Sequence, residues 1–126
     1  MENLYIAGSE YIPEVNLNAQ TGQLSIGGES YHEYTLEFFE PIFEWLKKYT
    51  AEGGKNIVLN FRMTYFNTSS SRRFLEIMNL LEEYKRTKGG KVFINWYYHN
   101  EDLDMQESGE EYAADVIGLK FNIESY

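Results

Sequence analysis

Three times along this chain, segments with strand-like patterning give way to a run with helical spacing, with short polar or glycine-rich breaks between. That rhythm constrains the fold more than any single residue does. Parallel neighbouring strands need a helix-length crossover, and such crossovers are right-handed almost without exception. The opening "IPEVNLNAQTGQLSIGG" reads as a β-hairpin, with Val15 and Leu17 on one arm, Leu24 and Ile26 on the other, and the turn at Thr21-Gly22. Leu4 to Ile6 adds a short edge strand. Residues 35–50 carry Phe38, Phe39, Ile42, Phe43, Trp45, Leu46 and Tyr49 at helical spacing. Pro41 lies inside this run, so the helix either kinks there or begins near it, and "EGG" at 52–54 ends it.

Residues 55–66 form a strand, apolar at first and then alternating Phe61, Met63 and Tyr65 with Asn60, Arg62 and Thr64. The next helix keeps Phe74, Ile77, Met78, Leu81 and Tyr84 on one stripe until "KGG" at 88–90 stops it. Residues 91–98 are a strand, residues near 106–117 a helix, and "LKFNI" a closing strand. The order ββ-α-β-α-β-α-β predicts a single-domain α/β fold over residues 1–126, a mixed β-sheet packed with helices.

Several function classes fall away on composition. The chain has no cysteine, which excludes disulfides, thiolate metal sites and a Cys nucleophile. Its 11 Lys and Arg against 20 Asp and Glu give a net charge of −9. Phosphate backbones and anionic lipid repel such a chain, so nucleic acid and membrane surfaces are not expected partners. The start, "MENLYIAGSE", has neither the basic region nor the apolar core of a signal peptide, and a cytoplasmic location is expected. Aromatics at 17%, with 11 Tyr, argue against disorder and leave some tyrosines for a protein interface.

Enzyme signatures are also missing. His32 and His99 stand alone, without a second ligand at metal spacing, and no phosphate-cradling or nucleophile-elbow motif occurs. "NEDLDMQESGEEY" offers D-x-D at Asp102 and Asp104, but Glu107 stands where a calcium loop needs glycine. Asp102, Asp104 and Glu107 therefore read as a solvated acidic face or a protein contact, and no metal or cofactor is expected.

The segment "TYFNTSSSRRF" does ask for an explanation. Asn67, Thr68 and Ser69 are all good helix caps, yet a cap uses one residue or two. Arg72 and Arg73 oppose the helix dipole by ~0.3–1 kcal/mol each. A phosphate on Thr68 would reconcile these residues. It adds about −1.5 to −2 charges where free backbone N–H groups favour an anion, and an arginine four residues on pairs with it. The effect would fall on a partner, because burying a dianion in an interface built for a neutral hydroxyl is costly.

"YFNTSSSRRFLEI", "FFEPIFEWL" and "EDLDMQESGEEYA…GLKFNI" together resemble the SiaC family of bacterial regulatory phosphoproteins, over essentially the whole chain. That family is similar to the anti-sigma-factor antagonists, so the resemblance implies a STAS-like fold. It also implies a partner switch. A dedicated kinase, using ATP, phosphorylates a hydroxyl at the start of the helix after the central strand, and a PP2C-type phosphatase reverses it. The unphosphorylated form binds and stimulates a diguanylate cyclase, which raises cyclic di-GMP and promotes biofilm growth or aggregation. The family's N-T-S-S motif places the acceptor on Thr68, with Ser69 as runner-up and Asn67 and Ser70 as flanking residues. The expected contact surface is Asn67, Thr68, Ser69, Ser70, Arg72 and Arg73, with Asp102, Asp104 and Glu107 as a second contact. The competing readings are an antagonist-like or constitutive adaptor for a different partner, in which the hydroxyl run is only a cap, and a small enzyme with a carboxylate site in 101–111.

Overall fold

Turn chemistry starts the sheet. The computed structural model describes residues 1–126, and in it the Asn18 side chain accepts from the Gln20 and Thr21 amides, both at 3.0 Å. Gly22 follows at φ +74°, where a Cβ would meet the Asn56 carbonyl oxygen at 2.2 Å. Only glycine closes this turn. It joins β2 (Glu14–Leu17) to β3 (Gln23–Ser30), and β1 (Leu4–Ile6) pairs antiparallel with β2 as the edge strand. The remaining elements are α1 (Thr35–Tyr49), β4 (Asn56–Phe66), α2 (Thr68–Lys88), β5 (Lys91–Tyr98), α3 (Leu103–Asp115) and β6 (Lys120–Ser125). No helix is long and apolar enough to cross a membrane.

The six strands lie side by side in chain order, and β3 to β6 run parallel. Each crossover advances one strand in the same direction, so right-handedness sets α1, α2 and α3 on one face. That face holds the core, including Leu24, Ile26, Leu59, Phe61, Ile94 and Trp96. The helices cover one side of the sheet only, which is unusual for a largely parallel sheet.

The open face shows how this is tolerated. In register across the strands run Asn16, Ser25, Asn60, Asn95 and Asn122. Asn122 donates to Asn95 Oδ1 at 3.0 Å, Asn95 donates to Asn60 Oδ1 at 3.0 Å, and Asn60 donates to the Leu24 carbonyl at 3.2 Å. The middle of the open face is therefore a hydrogen-bonded amide ladder.

Two local departures set up the functional end. The β3–β4 register shifts between Gly28 and Glu29, so that Met63 pairs with Gly28 while Tyr65, not Thr64, pairs with Glu29. This β-bulge inverts the alternation. Tyr65 turns to the open side and Phe66 turns inward onto Phe74 and Trp96, with ring centroids at 5.2 and 5.9 Å. The second departure is in α3, which starts at Leu103 rather than near 106 because Asp102 caps it, accepting from the Met105 amide at 3.1 Å. The early start lets the Met105 carbonyl accept from Trp96 Nε1 at 2.9 Å. α1 runs unbroken through Pro41. Pro41 and Glu37, whose carbonyl loses its partner, are both exposed, so water serves the freed group.

Candidate functional site

The carboxyl ends of the parallel strands form one rim of the molecule, and α2 begins at its centre, after β4. Asn67 links strand to helix. Its amide donates to the Ser30 carbonyl at 3.0 Å, and its side chain caps α2 by accepting from the Ser70 amide at 2.9 Å. The cap needed by the helix is thus supplied by Asn67 alone.

The four hydroxyls that follow divide into two pairs. Ser70 is completely buried and donates to the Ser30 carbonyl at 2.8 Å. Its proton being used there, the Ser30 hydroxyl must donate to Ser70 Oγ, also at 2.8 Å. Ser71 faces the other way. The Tyr112 hydroxyl donates to the Ser71 carbonyl at 2.9 Å, so Ser71 Oγ is the donor to Tyr112 at 2.7 Å. These two serines fasten the first turn of α2 to β3 and to α3. Burial pushes the Tyr112 phenol up to about 12; the Ser71 hydrogen bond works against this, and Glu111 and Asp115 add to it.

Thr68 and Ser69 are the other pair, and neither side chain makes a hydrogen bond within the protein. Thr68 is exposed and Ser69 half-buried. Their amides are the first two of the helix and have no intrahelical acceptor. The first turn holds no acidic residue. Arg72 lies one turn on from Thr68, about 40° away around the helix; it is exposed and makes no ion pair. Arg73, about 140° away from Thr68, is half-buried and paired to Glu76 at 2.6 Å.

The structure therefore redistributes the expected contact set. Asn67, Thr68, Ser69 and Arg72 stay together at the rim. Ser70 is removed from any contact surface by its burial, and Arg73 is engaged beside α1, where Glu37, Glu40 and Lys47 line the neighbouring depression. Asp102 is occupied as the α3 cap, while Asp104 and Glu107 stand exposed on α3. The main surface depressions are lined by other residues than these three carboxylates. No group of three or more His, Asp or Glu side chains is arranged to hold a metal ion. His32 and His99 serve turns, each accepting a backbone amide two residues on. Ser30 and Tyr112 were not visible as site residues in the sequence, since their partners lie 40 and 41 positions away.

Comparison with known proteins agrees in family and fold. The family model for "SiaC family regulatory phosphoprotein" matches residues 6–126. An uncharacterised protein of Pseudomonas aeruginosa strain UCBPP-PA14 is 34% identical over 116 residues, which is 91% of this chain and 90% of that protein. The crystal structure of apo-SiaC from Pseudomonas aeruginosa superposes with a TM-score of 0.87 at 30% identity, covering 99% of this chain and 98% of that one. A chain in the crystal structure of diguanylate cyclase SiaD in complex with its activator SiaC, from the same organism, gives a TM-score of 0.90 at 31% identity, covering 98% and 99%.

Proposed function

The chain belongs to the SiaC family of regulatory phosphoproteins, and on that premise we propose that it is a non-enzymatic partner switch set by reversible phosphorylation of Thr68. The unphosphorylated protein binds and activates a diguanylate cyclase in the cytoplasm, and so acts on cyclic di-GMP and biofilm growth. A cognate kinase adds the phosphate and a PP2C-type phosphatase removes it. The relative found with the cyclase SiaD is described as its activator, which supports the choice of output.

One observation carries the reading. Within the hydroxyl run, Thr68 alone is both exposed and free of side-chain hydrogen bonds, at the first residue of a helix whose first turn lacks an acid. A kinase can reach it without unfolding anything. The added phosphate meets two free amides and the Arg72 guanidinium, so the fold tolerates it. A partner seated over a neutral Thr68 does not, because it must desolvate a dianion. Ser69, half-buried, is the runner-up for the acceptor. The constitutive-adaptor reading needs Thr68 closed off as a structural cap, and Asn67 holds that role instead.

Phosphosite mapping on protein from its native cells tests this. The expected result is a single phosphate on Thr68 that disappears in Thr68→Ala. Thr68→Ala should keep cyclase binding and stimulation, and Thr68→Asp should lose both. If no growth condition places phosphate anywhere in 68–71, the adaptor reading replaces the switch.

A further inference from the structure

Below the rim, on the open side of the sheet, the amide ladder gives way to a different surface. Gly27 and Gly28 leave β3 bare next to Arg62, and a depression of about 560 Å³ forms there, walled by Glu14 on one side and Arg62 and Tyr97 on the other. The Arg62 guanidinium lies over the Tyr97 and Tyr126 rings, 4.9 Å from each centroid. On the rim side of this hollow, Tyr11, Tyr31 and Tyr65 stack edge to face, at 5.4 and 5.5 Å. Tyr11 and Tyr65 are each about half exposed, at 50% and 52%. The β-bulge places Tyr65 here, three residues before Thr68, and the Asn67 amide bond to the Ser30 carbonyl ties the chain between them to the residue before Tyr31.

Tyrosine and arginine are the residues that dominate protein interfaces when clustered around a hollow. Edge-to-face stacking holds the three rings rigid, so a partner would lose little entropy in ordering them. The charge of the patch tells which partner fits. Two carboxylates, Glu29 and Glu10, act on the ring cluster, where partial burial together with them raises the Tyr31 phenol above its usual range, and a third, Glu14, lines the hollow. Glu14 accepts from the Tyr5 hydroxyl at 3.2 Å. The single cation, Arg62, is already engaged with two rings.

We propose that this hollow, together with the tyrosine cluster beside it, is a second docking surface, which takes a basic segment of the partner protein with one apolar side chain seated against Gly27. Cationic side chains flanking that anchor meet Glu14 and Glu29. The surface extends the contact at Thr68, so a partner would straddle the rim and read the phosphorylation state at one end while being held by the rings at the other. The inference rests on the preceding reading in taking the cyclase as that partner. A second copy of this chain, at net charge −9, is a poor electrostatic match for an acidic patch.

The test measures affinity of the purified, unphosphorylated protein for its cognate diguanylate cyclase, with Tyr65→Ala, Glu14→Lys and Thr68→Asp as separate variants and thermal melts to confirm that each folds. Tyr65→Ala and Glu14→Lys should each weaken binding, the first by about tenfold or more, and raising salt should weaken the parent complex. Affinities within about twofold of the parent for both, alongside loss with Thr68→Asp, overturn the second surface and leave the switch standing. Loss with Tyr65→Ala but full binding by Thr68→Asp overturns the switch and leaves the surface. A dimer of the protein alone that Tyr65→Ala dissociates assigns the hollow to a second copy and overturns the proposal, as does absence of any complex between the parent and the cyclase.

Discussion

α2 and α3 begin in the same setting, each just past the carboxyl end of a parallel strand on the same rim, and their first turns are built in opposite ways. α3 is capped by a carboxylate, Asp102, and carries Asp104 in its first turn. Its helix dipole is answered by the chain itself. α2 is capped by the neutral amide of Asn67, has no acid in its first turn, and carries Arg72 and Arg73 at the start of its second. α1 too has an acid in its first turn, Glu37. The contrast teaches that the start of α2 alone is left short of negative charge, a gap that the phosphate proposed at Thr68 would fill.

The comparison can be broken most strongly from the buried side. Tyr112 ties the α2 start to α3, and its phenol, raised to about 12 from 10.0, must be neutral in the folded protein. That contribution is complete below pH 10 and is lost as pH rises towards 12, by about 3 kcal/mol at most. Alkaline thermal melts should show the loss, and Tyr112→Phe should flatten it while giving up about 1 kcal/mol at neutral pH. Ser70→Ala strands the Ser30 hydroxyl in the core and should cost about 2 kcal/mol by urea denaturation. Asp102→Ala removes the α3 cap, for which about 1 kcal/mol is expected in the same measurement. The smallest effect has the opposite sign. Thr68→Asp supplies the anion that α2 lacks and should stabilise the protein by ~0.5 kcal/mol, whereas Thr68→Ala should leave the melting curve within ~0.5 kcal/mol of the parent.

These differences also mark what the sequence could reveal. Strand and helix order was legible because the apolar periodicities are local, and the hairpin turn because Thr21-Gly22 carries its own conformational preference. The proposal at Thr68 also starts from something local, a surplus of hydroxyls beside arginines that the helix dipole disfavours. What stayed hidden depends on partners far along the chain. Nothing near Ser70 or Ser71 announces that one belongs to β3 and the other to α3. Arg73 looks equivalent to Arg72 until helical geometry turns it towards Glu76. The early start of α3 was signalled, since Asp102 stands three residues before Met105, but the acidic surroundings drew attention to metal and docking instead. The bulge at Thr64 had only an ambiguous signal: Gly28, at φ +98°, sits where the register slips, but a Gly-Gly pair reads equally well as a turn.

The amide ladder has a consequence for the life of such a molecule between partners. A regulator that exchanges one complex for another passes through a free state, at whatever concentration the cell maintains. A largely parallel sheet with a bare apolar side would meet its own kind in that interval and precipitate or pair irreversibly. With asparagines bonded to one another across three strands, the middle of this face is stable in water and offers little to a chance neighbour. Under the proposed switch, such a protein can wait alone between partners.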